Sequence, residues 1–227
     1  MSRNKMEWRF LKLVGPLIES PPKLFRRTFL RGIFRIRDRM DRDRKVVYLT
    51  FDDGPIPQST PWLLDELDRL GVKATFFMVG DNVRKYPDLY AECVRRGHGV
   101  GNHTMHHLNG SWCSTRKYVL DVIEGAKYIK STLFRPPRGW MRFDQKEMLS
   151  KHFDIIMYDL VTRDYSRYVT AGHVVENVKR LARPGSIIVF HDSLKSVSKL
   201  KTALAESVNW LKDEGYEFRL IPERKKR

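Results

Sequence analysis

Val46-Val47-Tyr48-Leu49-Thr50-Phe51-Asp52-Asp53-Gly54-Pro55 is the stretch that decides how the rest of the chain reads. Its β-branched and aromatic residues carry no helical spacing and specify a strand, which runs into two adjacent carboxylates. The Gly-Pro pair that follows forbids the strand from continuing. Side chains alternate across a strand, so neighbouring aspartates diverge unless the chain turns between them. With a turn there, one acid can hold a cation while the other handles protons. Taken alone, Asp-Asp-Gly-Pro is equally an ordinary turn sequence, and the choice rests on the residues around it.

Downstream, apolar Trp62, Leu63, Leu64, Leu67 and Leu70 give a helix over 60–70 that Gly71 closes, followed by a buried strand over 74–79. A helix over 88–96 lies behind Pro87, and a short strand over 99–102 follows. The alternation continues with helix 115–130, strand 133–134, helix 145–151, strand 154–158, helix 171–181, strand 186–190, helix 199–214 and strand 216–220. Strands alternating with helices of this length predict βα units and parallel strands. Asp52 with Asp53, His103, Arg135, Asp164 and His191 fall at or just beyond the carboxyl ends of these strands. A barrel gathers such ends on one rim, whereas an open sheet spreads them along a line. The expected fold is therefore α/β, a distorted or incomplete (β/α) barrel over 45–222, with a basic extension at 1–44 and a basic tail at 223–227.

The 227 residues suffice for one domain with a sizeable core. Of the net charge of +16, half sits in the first 44 residues, where 13 Lys/Arg face 5 Asp/Glu. The apolar patch from Trp8 to Ile18 is broken by Arg9, Lys12 and Pro16, so it reads neither as a membrane span nor as a clean signal-peptide core. Phe25, Phe29, Ile33 and Ile36 recur at near-helical spacing opposite Arg27, Arg31 and Arg35, which predicts a basic amphipathic helix weakened by Gly32. Such a helix packs on the protein's own body or lies peripherally on an anionic membrane face. Location reads as cytoplasmic or peripheral on the inner membrane face. No nucleic-acid partner is expected, because basic and aromatic residues do not interleave on a binding motif. Cys93 and Cys113 form neither a disulfide framework nor a thiolate metal site. Oligomeric state is not legible at this level.

His103-Thr104-Met105-His106-His107 is the second signal. The i, i+4 spacing predicts a helical turn with His103 and His107 on one face, able to share an ion. With Asp53 the set becomes two histidines and a carboxylate, which leaves coordination positions open for water and substrate. Non-haem iron oxygenases use the same ligand types; the additional acid Asp52 and histidine His191 favour hydrolysis.

Thr50-Phe51-Asp52-Asp53-Gly54-Pro55, His103 to His107, Arg135-Pro136-Pro137-Arg138-Gly139 and Val189-Phe190-His191-Asp192 resemble, in order, the motifs of polysaccharide deacetylases, carbohydrate esterase family four, the nodulation-deacetylase homology domain. The resemblance spans about 45–220. It implies a distorted (β/α) barrel and metal-dependent removal of an N-acetyl group from an amino sugar. By motif match Asp53, His103 and His107 hold the metal, Zn2+ foremost, with Co2+, Ni2+ or Mn2+ as other candidates. Asp52 is then the general base, Arg135 the arginine that pairs with it, His191 the general acid and Asp164 the carboxylate that orients it. The backbone N–H of Arg138 helps hold the oxyanion, and Pro137, Tyr165 and Val189 line the pocket. The chain departs from the family at Arg138 and Tyr165, where aromatics (Trp at 165) are common, and at Val189, commonly Leu. These changes bear on the pocket wall rather than on the reacting groups. Trp112 and Trp140 fall in rim loops where they can stack on sugars or pack. The expected substrate is an N-acetylglucosamine-containing glycan: peptidoglycan, a chitin-like oligomer or a surface saccharide, placing the enzyme's work at the cell envelope. Alternatives with the same site are O-acetyl ester or non-sugar amide hydrolysis, and in a different class a catalytically silent basic module that binds glycan or membrane.

Overall fold

The computed structural model describes residues 19–21, 32–36 and 44–223. Strand β1 (Lys45–Asp52) is buried at every residue after Lys45. A parallel strand covered on both faces has no solvent side, which is why its sequence is a continuous apolar run. Around it lie α1 (Thr60–Arg69), β2 (Thr75–Met78), α2 (Gly80–Lys85), α3 (Pro87–Arg95), β3 (Gly99–Asn102) and α4 (Thr115–Tyr128). They are followed by β4 (Leu133–Phe134), α5 (Phe143–Leu149), β5 (Asp154–Ile155), β6 (Leu160–Val161), α6 (Ala171–Leu181), β7 (Ser186–His191), α7 (Val197–Asp213) and β8 (Tyr216–Phe218). All pairings among these strands are parallel. Their order is β5-β4-β3-β2-β1-β7-β6, with β8 against the start of β1.

Alternation along β1 separates two apolar layers. Val47, Leu49 and Phe51 pack outward against Leu63, Leu64 and Leu67 of α1 and Leu204, Val208 and Leu211 of α7. Val46 and Tyr48 point inward, with Phe77, Leu133, Ile156, Ile187 and Ile221. Thr50 and Asp52 continue that inward face toward the carboxyl rim. The sheet is strongly curled. In a flat sheet β4 and β1 would stand about 14 Å apart, at roughly 4.8 Å per strand and three intervals, further than an arginine side chain reaches. Arg135, directly after β4, nevertheless bonds Asp52 at the end of β1 at 2.6 Å. The curl is that of the distorted (β/α) barrel.

Between the end of β5 and the start of β7 the barrel is completed by the N-terminal extension. Ile33 bridges Ile156 in parallel and Arg35 bridges Ser186 antiparallel. Ile33 N donates to Ile155 O at 2.9 Å, Met157 N to Ile33 O at 2.9 Å, and Ile36 N to Gly185 O at 3.0 Å. Phe34 is buried with Leu149, Phe153 and Met157, and Arg35 lies 3.6 Å from the buried carboxylate of Asp159. The amphipathic-helix expectation is therefore corrected at 33–36, which are extended. Unpaired strand edges offer backbone partners there, and isoleucines behind a glycine suit a strand better than a helix. The remainder of that expectation, at 25–31, and the patch at 8–18 lie outside the described residues, as does the tail beyond Glu223.

Past Ile155 the pairing partner changes from β4 to Ile33, so β5 itself spans only Asp154–Ile155 rather than running to Tyr158. The short elements α2 and β6 carry too few residues for a periodic signal. Among the described residues no helix is long and apolar enough to cross a membrane.

Candidate active site

Backbone bonds that carry the ladder past the strand ends place each polar residue. Asp53 N donates to Phe77 O at 3.1 Å, His103 N to Met78 O at 2.9 Å, Arg135 N to Asn102 O at 2.9 Å and Asp192 N to Asp52 O at 2.8 Å. Asp52 pairs in register with His191. The rim thus carries Asp164 after β6, His191 on β7, the two aspartates on β1, the histidines after β3 and Arg135 after β4.

The chain turns at Asp53. Asp53 takes φ 85, a left-handed conformation held by Asn82 Nδ2, which donates to Asp53 O at 2.8 Å. The next residue must be glycine for a spatial reason: a Cβ on Gly54 would lie 2.2 Å from Asp192 Oδ2. That carboxylate accepts the hydroxyls of Ser59 and Thr60 at the start of α1. Burial, and then the charge of Asp53, push Asp192 up to about 6 against those two bonds.

Asp53, His103 and His107 offer donor atoms that all lie within 4.8 Å of one another. His107 Nε2 is 3.3 Å and His103 Nε2 3.8 Å from Asp53 Oδ1. The histidines converge by a route other than the expected helical turn: 103–107 is a loop with left-handed residues at Thr104 (φ 67) and His107 (φ 53). Asn102 Oδ1 accepts from Thr104 N, and Asp121 Oδ2 from the backbone of Met105 and His106, bonds that replace those of a helix. His106 points away and pairs with Asp121 Oδ1 at 2.6 Å.

The donor set fits a divalent cation. Burial holds His103 down to about 4 against the nearby charge of Asp52, so the ring is neutral. Its Nδ1 donates to Arg135 O at 2.8 Å, which leaves Nε2 as the lone-pair nitrogen facing Asp53. Burial raises Asp53, but the hydrogen bond from His107 and the charge of His191 outweigh it and hold the carboxyl below its ordinary range.

On one side of this cluster Asp52 is paired with Arg135, whose Nη1 donates to Asp52 Oδ1 at 2.6 Å and to Thr50 Oγ1 at 2.8 Å. Its Nη2 donates to Met157 O at 3.1 Å, and the guanidinium lies 4.0 Å over the Phe77 ring. On the other side His191 Nδ1 bonds Asp164 Oδ1 at 2.8 Å while its backbone N donates to Asp164 Oδ2 at 2.7 Å. Burial opposes a charge on His191, yet the charge of Asp164, its hydrogen bond and the two aspartates of β1 raise the histidine to about 9. A neutral and a cationic imidazole therefore share one rim.

Of the residues expected to line the pocket, Tyr165 meets the His191 ring edge-on at 4.7 Å, and Val189 is buried on β7 two residues before His191. Pro137 begins a buried 3-10 turn in which Arg138 takes φ 61. The Arg138 side chain is exposed, its guanidinium 5.4 Å over Trp112, itself 79% exposed. Sequence reasoning missed Thr50, Asn82, Asp121 and Asp192 as supports. Thr50 carried a signal, since it shares the strand face of Asp52, and Asp192 adjoins His191. Asp121 carried none.

The polysaccharide deacetylase family profile matches residues 39–152. Over 189 residues the chain is 33% identical to a peptidoglycan-N-acetylglucosamine deacetylase of Bacillus cereus, covering 80% of this chain and 88% of that protein. It is 30% identical to the peptidoglycan-N-acetylmuramic acid deacetylase PdaC of Bacillus subtilis, covering 79% of this chain and 38% of that longer protein. A crystal structure of the Bc1960 peptidoglycan N-acetylglucosamine deacetylase superposes with a TM-score of 0.76 at 28% identity, covering 88% of this chain and 95% of that one. Motif order, rim geometry and a profile that spans half the chain agree, and the protein belongs to the polysaccharide deacetylase family.

Proposed function

We propose that the protein is a metal-dependent glycan deacetylase that hydrolyses the N-acetyl group of N-acetylglucosamine units, with peptidoglycan the foremost substrate. The observation that carries this reading is the placement of the Asp52–Arg135 pair and the His191–Asp164 pair on either side of Asp53, His103 and His107. Asp53, His103 and His107 would hold a divalent cation, zinc foremost for a two-histidine, one-carboxylate set, supplying Lewis acidity toward the carbonyl and lowering the pKa of water to about 7.

Arg135 occupies Asp52 Oδ1, so Oδ2 is the oxygen that takes a proton from the attacking water. The water oxygen bonds the acetyl carbon, the C–N bond breaks, and acetate and the amine separate. An amine anion is a far poorer leaving group than an alkoxide, so this cleavage needs a proton donor more than ester cleavage does. His191 supplies it: with Nδ1 committed to Asp164, Nε2 gives its proton to the leaving nitrogen. That requirement is what favours N-acetyl over O-acetyl substrates. The Arg138 N–H would help hold the oxyanion, and Pro137, Tyr165 and Val189 would bound the acyl and sugar pocket.

The test is acetate release from N-acetylglucosamine oligomers and peptidoglycan fragments by metal-stripped protein, with and without restored zinc. Zinc-dependent release that Asp53→Ala lacks is expected. Release in Asp53→Ala equal to that of the parent sinks the metal assignment, and zinc binding without release from any of these glycans sinks the substrate.

A further inference from the structure

Glu19 belongs to the N-terminal extension, yet it is only 8% exposed. Its carboxylate is shared between two arginines of the barrel: Oε1 accepts from Arg163 Nη1 at 3.0 Å and Oε2 from Arg180 Nη2 at 2.8 Å. Arg163 is buried, takes φ 61, and immediately precedes Asp164. A non-glycine residue in that region is strained and persists only where its surroundings over-determine it.

Those surroundings converge on 162–164. Thr162 N and Oγ1 donate to Val189 O at 3.1 and 2.9 Å. Lys199 Nζ donates to Asp164 O at 2.7 Å. Arg180 Nη2 also donates to Asn177 Oδ1 at 3.0 Å, and Asn177 Nδ2 donates to Thr162 O at 3.3 Å. Glu19 therefore grips the corner twice, directly at Arg163 and through Arg180 and Asn177 at Thr162. A buried guanidinium needs a counter-charge, and removing one partner of such a pair leaves the other uncompensated. Without Glu19, Arg163 would turn toward water and carry the left-handed corner with it, and Asp164 is the next residue.

We propose that Glu19 is a positioning residue for His191, acting through Arg163 and Asp164, so that the N-terminal extension is a working part of the acid half of the site. The kinetic consequence rests on reading His191 as the general acid; the geometric one does not. Glu19→Gln keeps the shape of the side chain and removes its charge. In zinc-loaded protein we expect kcat to fall about tenfold with KM little changed, at the low end of what supporting partners of a functional histidine contribute. We also expect the low-field Nδ1–H proton resonance of His191, sharp in the parent, to broaden or shift. Phe34→Ala loosens the extension without touching Arg163, and should lower the melting temperature while leaving that resonance in place.

Parent kcat and a parent-like resonance in folded Glu19→Gln overturn the proposal, as does an equal change of the resonance in Phe34→Ala. Should Glu19→Gln fail to fold, Glu19→Asp, which keeps the charge and shortens the reach, is judged by the same two readouts. His191→Ala separates the two claims: parent-like kcat there overturns the acid role of His191, whereas the resonance judges Glu19 on its own.

Discussion

At Asp52 the geometry assigns one oxygen to Arg135 and leaves the other for chemistry. Asp52→Asn keeps the volume and removes the proposed base, so kcat for acetate release should fall by about 10² to 10⁴ with KM changing little; an equal rise in KM alone would move Asp52 from base to binding residue. His191 gives a prediction with a sign. Its pKa is raised to about 9, chiefly by Asp164 against burial, so the acid form persists through neutral pH and the rate falls as pH rises through about 9. A cation held at Asp53 would offset one of the supporting negative charges and place the limb of metal-loaded protein at or below that value. Asp164→Asn removes the largest raising influence while burial remains. The falling limb of kcat against pH should therefore move to lower pH, and a limb that stays in place would show that Asp164 does not tune the acid.

The turn leaving β1 and the start of α1 are one unit, because Asp192 sits between Gly54 and the hydroxyls of Ser59 and Thr60. Ser59 is at the N-cap of α1 but does not cap it; its hydroxyl is spent on Asp192. A methyl group at residue 54 must displace that carboxylate, and with it either the helix start or the aspartate at residue 53. Gly54→Ala should destabilise the fold by about 1–3 kcal/mol, the usual range for forced overpacking, and weaken zinc binding together with it. Chemical denaturation and zinc titration read the two effects separately, and parent-like values in both would show that the turn yields without consequence.

At the scale of the whole molecule, the barrel uses residues that precede its first strand. Phe34 is buried in a core shared with α4 and β5, Ile33 and Ile36 bond to the rims of the opening, and Glu19 joins the loop after β6 to α6. A chain that starts at Lys45 should melt less cooperatively and at a lower temperature than the full chain, since losing a buried phenylalanine alone costs about 3–5 kcal/mol. Identical melting curves would show that these contacts add nothing. The basic charge of 1–44 is then divided: Arg35 faces Asp159 inside the protein. A membrane contact would fall to the residues of the extension outside 19–21 and 32–36.

The amino-acid sequence by itself determined the strand that ends in two acids, the parallel βα alternation and the rim placement of His103, His107, Arg135, Asp164 and His191. These follow from periodicity and from motif spacing, which are local properties of a chain. It did not determine how the pieces meet. The spacing of His103 and His107 predicts a helical turn, yet a loop with two left-handed residues brings the rings together, because Asn102 and Asp121 satisfy its backbone from outside. The reach of Arg135 to Asp52, the closure of the sheet by 33–36 and the grip of Glu19 on Arg163 join residues far apart in the chain. Each depends on the curl of the sheet, which is set by packing on both of its faces at once and leaves no periodic trace in any one segment.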